Sequence, residues 1–369
     1  MKLSGIRVLD FSRFMAGPLV SSIMADHGAD VVKIEPPEGD PTRKGRRTRL
    51  QQPAGDSFCV LNRGKRSVVL DLKQSVDRAR AHALIHDADV LIESFSPGVT
   101  ARLGIDAPTA HALNPRLVYC SISAFGQNGP LRDAAGHDPA VQALAGILSR
   151  DQGGAPIVPA VSVASWGSAL AALAGVTMAL FSARETGRGD HLDLSMHDVA
   201  LSARPGAIFD ALEHDVASLE APCGHAILEP YETADGRWLC VGAGEPRFAR
   251  ALLDALGGLD LIDMALGLPG AVQDPLRGFL ASAFLQKTLD TWLAWMSARA
   301  ISCVPVLDYA QALKHPHTSA REMLIADSLG EHHLNTPIRF VYEPGRPNLH
   351  APELGEHTDA VLSAGRVAH

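Results

Sequence analysis

Two segments carry residue types that could move a proton. Ala135-Gly136-His137-Asp138-Pro139 sets an imidazole between a glycine and an aspartate, and Val163-Ala164-Ser165-Trp166 opens an Ala- and Leu-rich stretch that ends at Arg184-Glu185-Thr186-Gly187-Arg188-Gly189. Histidine is the side chain that gives up and takes back a proton near neutrality, so His137 is a candidate general acid or base. Asp138 has two readings: it orients the His137 ring, or it caps the helix that Pro139 opens. Ser165 offers a hydroxyl where a second titratable group would be useful. A hydroxyl is a poor proton acceptor, but it can hold a water or donate a hydrogen bond to a developing oxyanion. Its bland reading is a helix N-cap for a segment running from Ser168 to Arg184. No carboxylate occurs between Gln152 and Glu185.

These residues need a scaffold, and the N-terminal third reads as one. Short β-branched runs alternate with helical segments: Ile6 to Phe11, a helix from about Pro18 to His27, then Ala29 to Glu35. Further strands are expected at Ser67 to Leu72, Asp89 to Glu93 and Leu117 to Ile122, with Ser75 to His86 helical. Such alternation predicts βαβ units and a parallel, doubly wound sheet. Pro18 suits a first helical turn and Gly28 the left-handed residue that closes one. Pro139 to Leu148 and Ser168 to Arg184 carry few charges and read as buried helices. The stretch from Tyr231 to Gly242, with Asp235-Gly236 at its turn, reads as a hairpin followed by helices. The expected organisation is a large α/β domain over 1–200, a linker over 201–225, a small α+β domain over 226–312, and a segment over 313–369 that returns to the large domain.

Composition narrows the class. A chain of 369 residues with 46% hydrophobic residues can bury a large core in about two domains. The formal net charge of −8, with one basic cluster at Arg43-Lys44-Gly45-Arg46-Arg47 and Arg49, implies no broad cationic face and argues against nucleic acid as a partner. Cys59, Cys120, Cys223, Cys240 and Cys303 are odd in number and without a CxxC pair, as expected of reduced thiols in the cytoplasm and not of a disulfide frame or a metal site. No run of about 18 uninterrupted apolar residues occurs, so neither secretion nor a membrane span is expected.

At this point the motifs carry a resemblance. Gly17-Pro18, Gly28-Ala29-Asp30-Val31-Val32-Lys33-Ile34-Glu35, Leu61-Asn62-Arg63-Gly64-Lys65-Arg66-Ser67, Phe125-Gly126-Gln127-Asn128-Gly129-Pro130, Thr186-Gly187-Arg188-Gly189 and Leu354-Gly355-Glu356-His357-Thr358 occur in the order of the family III CoA-transferases. Gly136-His137-Asp138, and Thr233-Ala234-Asp235-Gly236 leading to Val241-Gly242-Ala243-Gly244-Glu245-Pro246, are most similar to the α-methylacyl-CoA racemase branch. The resemblance implies a Rossmann-like large domain, a smaller α+β domain, and an interlocked dimer.

It also implies a site. The family histidine maps onto His137, and the family aspartate, in an Ala-Asp segment, maps onto Ser165. Glu245 falls where the family places a glutamate beside the histidine. A transferase of this kind uses the aspartate as acyl carrier, first as an anhydride and then as a CoA thioester, which serine cannot replace. Proton abstraction from a 2-methylacyl-CoA survives better, because His137 is kept. The family arginine of Asn-Phe-Arg-Pro-Gly is Ser96 here, leaving Arg43, Lys65 and Arg66 as candidates for the CoA phosphates. The expected substrate is an acyl-CoA thioester, with no metal. The competing expectation is a catalytically silent subunit that pairs with an active partner chain, so homodimer and heterodimer both stay open.

Overall fold

The computed structural model describes residues 1–47, 54–150, 154–214 and 224–363. Cys223, Arg49 and part of the 201–225 segment lie outside them. The chain forms two compact units, one of Met1–Leu148, Val158–Phe209 and Glu322–His369, the other of Ser149–Ile157 and Asp210–Arg321.

The first unit is built on strands β1 (Arg7–Asp10), β2 (Asp30–Glu35), β3 (Arg66–Val69), β4 (Val90–Glu93) and β5 (Val118–Ser123). After a two-residue pair that belongs to the second unit, β6 (Ser149–Arg150) and β7 (Pro156–Ile157), the chain returns to the first with β8 (His191–Ser195). Six of these strands make one parallel sheet in the order β3-β2-β1-β4-β5-β8. Val90–Glu93 is buried at every position, the signature of a parallel strand covered on both faces. The helices of this unit include α1 (Ala16–Asp26), α2 (Asp56–Asn62), α3 (Ser75–His86), α4 (Val99–Leu103), α5 (Ala107–Leu113), α6 (Asp138–Leu144), α7 (Val163–Thr186) and α8 (Met196–Ser202). One face packs Leu9, Val32, Leu91 and Tyr119 against Ala81, Leu84 and Ile85 of α3 and Ala110 of α5. The other packs Val8, Val31, Val90 and Val118 against Val20 and Met24 of α1 and Ala169, Ala172 and Val176 of α7. The doubly wound sheet expected from the sequence is the observed one.

Local punctuation works as expected. Pro18 sits in the first turn of α1, where its missing N–H is no loss. Gly28, at φ +100°, ends the helix and donates its N–H to the Ala25 carbonyl at 2.9 Å. Two helices differ in extent. The helix expected from Pro139 stops at Leu144, where Gly146 turns left-handed. The one expected from Ser168 begins five residues earlier, at Val163, so Ser165 lies inside its first turn. By length and hydropathy α7 could cross a membrane, but here its Ala- and Val-bearing face packs on the sheet.

The second unit holds an antiparallel sheet of β9 (Pro230–Glu232), β10 (Trp238–Val241) and β11 (Cys303–Pro305). The hairpin pairs Glu232 with Trp238 across the Asp235-Gly236 turn. Helices Pro246–Leu256, Asp274–Phe284 and Leu289–Ser297 bury Leu252, Leu253, Leu280, Phe284 and Trp292 around Leu239 and Val241.

Candidate active site

The turn carrying His137 is fixed on both sides. Beyond the carboxyl end of β5, Gly136 lies flat on the chain that follows the strand. A Cβ at this position would stand 2.7 Å from the Ala124 Cβ and 2.9 Å from the Phe125 ring, so only glycine fits. His137 follows as the residue before α6, in extended backbone with φ −112° and ψ 160°. Its side chain is exposed and makes no hydrogen bond among the described residues.

Asp138 then turns inward, 9% exposed. One oxygen accepts the Ser165 N–H at 2.6 Å, and the other accepts the side-chain amide of Gln142. Helix α7 has no acidic residue in its own first turn and no capping side chain from Ser162. Asp138 therefore supplies from α6 the acceptor and the negative charge that a helix start requires. This is neither role foreseen for it: Asp138 does not pair with His137, and the amide it caps belongs to the neighbouring helix. This bond to the Ser165 N–H lets α7 start before Ser168, at Val163. The bond brings the His137 turn and Ser165 into one neighbourhood, with Ser165 8% exposed. Val141, Ala145, Ala164 and Ala200 close a small apolar core beneath them.

The sequence candidates for phosphate binding are each engaged by a carboxylate. Arg43 is buried on the Phe58 ring, 3.7 Å from its centre, and its Nε and Nη2 each donate to Glu35 at 2.7 Å. Lys65 is buried, and its Nζ donates to Asp10 at 2.9 Å, the Pro18 carbonyl at 2.9 Å and Asn62 at 2.8 Å. Burial pulls the Lys65 ammonium down to about 8 although Asp10 opposes this. Burial alone would raise the Asp10 carboxyl, but Lys33, Lys65 and the Ser12 and Ser21 hydroxyls hold it well below the usual carboxylate range. Arg66 is half-buried and forks onto Asp30 at 2.9 and 2.5 Å.

Two cations that drew no notice in the sequence lie on the segments that follow β1 and β4. Arg13, in the loop after β1, and Arg102, in α4, make no ion pair among the described residues. The Arg13 guanidinium lies 5.3 Å from the centre of the Phe95 ring. Neither carries a local signal, since their setting arises only when the sheet brings β1 beside β4.

Beneath that loop, Glu93, Ser121 and Asp193 form a row across β4, β5 and β8. Glu93 is 2% exposed and accepts the Phe95 N–H at 2.8 Å. Burial pushes its carboxyl up to about 7, with the nearby Asp193 adding to the effect and the Ser121 hydroxyl and Phe95 N–H opposing it. Ser121 also reaches His191 Nε2 at 2.9 Å.

Glu245 lies in the second unit, before the helix Pro246–Leu256, exposed and paired with Arg247 at 2.9 Å. Cys59, Cys120, Cys240 and Cys303 are free thiols. Among the described residues no group of three or more His, Cys, Asp or Glu is placed to hold a metal ion.

With this geometry in place, comparison with known proteins is informative. The sequence profile of CoA-transferase family III matches residues 3–358. Human alpha-methylacyl-CoA racemase is 31% identical over 98% of this chain and 93% of its own length. The succinate–glutarate CoA-transferase of Agrobacterium fabrum is 31% identical over 98% of this chain and 95% of its own. A crystal structure of a CAIB/BAIF family protein from Brucella suis has a TM-score of 0.84 at 28% identity, covering 98% of both chains. A racemase and a transferase thus match with the same identity, and what unites them is the family: the chain belongs to CoA-transferase family III.

Proposed function

We propose that the chain binds an acyl-CoA thioester and exchanges its α-proton through His137, as a racemase or related isomerase of a 2-methylacyl-CoA. The observation that carries this reading is the uncommitted imidazole, set between the closely packed Gly136 and the buried Asp138 and tied through Asp138 to the turn bearing Ser165. Removing an α-proton moves the C–H electron pair toward the thioester oxygen, and the imidazole holds the proton until it returns. Such a base must be positioned and free of other partners. Ser165 takes the place of the second base, and its hydroxyl suits a hydrogen bond to the enolate oxygen or a held water. Exchange needs one base and inversion two, so proton exchange at Cα should outrun change of configuration.

The reading extends to assembly and place. Met178 and Phe181 on α7 are 68% and 74% exposed, which supports a second chain on that face, in a homodimer or a heterodimer. Free thiols support a reducing, cytoplasmic setting. Of the sequence candidates for the CoA phosphates, Arg66 is the one nearest solvent.

The test is deuterium wash-in at Cα of a 2-methylacyl-CoA by the purified chain. Wild type should exchange, and His137→Ala should lose at least about 100-fold of the rate. Ser165→Asp should raise the ratio of inversion to exchange. Absence of exchange with every branched acyl-CoA offered would sink the reading. It would favour instead the second one, supported by Ser165 itself: a silent subunit whose active partner brings the acyl-carrying carboxylate, detectable when a partner with an intact Ala-Asp segment restores transfer.

A further inference from the structure

Residues 335–357, between the strand His332–Leu334 and the helix Thr358–Ser363, form neither helix nor strand, so the segment is held by what it lies on. Beneath it are the end of α1 and the turn from α2 to β3. The Leu334 carbonyl accepts from Arg63 Nη1 at 2.5 Å, and the Gly64 N–H donates to the His350 carbonyl at 2.7 Å. Between these two bonds the Arg346 N–H donates to the Asp26 carbonyl at 2.8 Å, and Thr336 Oγ1 stands 3.3 Å from His27 Nε2. All of these residues belong to the first unit.

At the centre of this contact is an imidazole. His27 is 3% exposed, with the Phe340 ring edge-on to it at 5.4 Å between centres. Gly345 lies against the same ring. A Cβ there would stand 2.8 Å from His27 Cε1 and 2.9 Å from Nδ1, so bare backbone closes over the imidazole. Nδ1 is buried and has no hydrogen-bond partner among the described residues, and Nε2 has only the Thr336 hydroxyl. The charges around the ring are already engaged. Asp26, from α1, binds Arg63 at 2.7 Å, and its other oxygen is buried without a partner, so Nδ1 does not reach it in this pose. From the N-terminal turn, Lys2 stands 5.5 Å from the Phe340 ring centre and binds Glu343 at 2.6 Å, while the terminal ammonium binds Ser4 Oγ at 3.0 Å. Arg346 meets α1 through its backbone, and its side chain is exposed. A proton on Nδ1 would be a buried donor facing Gly345, with no acceptor while the segment is in place. Burial accordingly lowers the imidazole from its ordinary 6.5, with the Asp26 carboxylate opposing.

We propose that His27 is a proton-operated latch: uncharged, it keeps residues 334–350 on the end of α1, and on taking up a proton it lets them go. With the segment released, the ring meets water and titrates at its ordinary 6.5; with the segment docked, it resists the proton. The released state therefore binds more protons, so docking is full above about 6.5 and weakens as pH falls below it, by at most about tenfold in the docking equilibrium per pH unit. Because the segment covers Arg63 and Gly64, acid also loosens the turn between α2 and β3. The latch is independent of the acyl-CoA reading.

Hydrogen exchange of the full chain at about pH 7.5, 6.5 and 5.5, with rates corrected for their intrinsic pH dependence, tests it. In wild type the amides of residues 339–350 should open several-fold more often at the lowest pH than at the highest, up to about tenfold, while those of β1 and β2 do not loosen. His27→Phe, which keeps a ring beside Phe340, and His27→Gln, which keeps a polar side chain, cannot take up the proton, and either should abolish the pH dependence. Thr336→Val removes the Nε2 contact but leaves the imidazole, so the dependence should persist. It should persist also in His350→Gln, which removes the one imidazole within residues 334–350, paired with Glu356 at 3.2 Å. Equal protection of the segment at all three pH values in wild type, or an undiminished pH dependence in the His27 variants, would overturn the proposal.

Discussion

Replacing Glu93 with glutamine should remove a loss of stability that the wild-type protein suffers as pH rises from about 4.5 to about 8. The Glu93 carboxyl is buried at the end of β4, and burial lifts it from its ordinary 4.5 to about 7. In the unfolded chain it ionises at the ordinary value. Between the two the folded state keeps the proton and the unfolded state has released it. The stabilising contribution is therefore full below about 4.5 and is lost as pH rises through about 7. A gap of this size corresponds to about 3 kcal/mol at most. Glutamine keeps the shape and can still accept the Phe95 N–H that Glu93 accepts at 2.8 Å, but it does not titrate. Urea unfolding at pH 5, 6, 7 and 8, followed by hydrogen exchange of the β4 and β5 amides, measures the difference. Tryptophan fluorescence would report mainly the other unit, which holds Trp238, Trp292 and Trp295 against Trp166 alone in the sheet-bearing one. Wild type should lose about 2.5 kcal/mol more than Glu93→Gln from pH 5 to pH 8, and parallel stability curves for the two proteins would show that the Glu93 carboxyl is not raised in the folded state.

Other expectations follow from single contacts. Asp138→Ala strips the acceptor from the Ser165 N–H and from Gln142. It should cost about 2–4 kcal/mol in thermal or urea unfolding, and helix α7 should fray at Val163–Ser165 in hydrogen exchange. Lys65→Met leaves the Asp10 carboxylate buried beside Lys33 at 4.0 Å as its remaining cation and takes the donor from Asn62 and the Pro18 carbonyl. A loss of about 3–5 kcal/mol is expected, and Asp10→Asn in the same background should recover part of it.

What was legible in advance followed from local rules. The strands at Asp30–Glu35 and Val90–Glu93 declare themselves as β-branched runs, and helix Ser75–His86 falls on its expected residues. Gly28 and Pro18 punctuate α1 because backbone dihedrals and missing donors are properties of one residue and its neighbours. The motifs from Gly17-Pro18 to Leu354-Gly355-Glu356-His357-Thr358 were enough to name a family. The pairing of charges was not legible. Arg43, Lys65 and Arg66 look like free cations in the chain, and the fold assigns each a carboxylate, at Glu35, Asp10 and Asp30. Arg13 looks like nothing until the sheet order sets β1 against β4 and leaves its guanidinium over Phe95. Asp138 and Ser165 stand 27 residues apart, and only the packing of α6 on α7 makes one the cap of the other. Periodicity and turn chemistry act over a few residues and so are written in the sequence, whereas burial, and with it the choice of which charges are neutralised and which remain open to a ligand, is decided by contacts between distant segments.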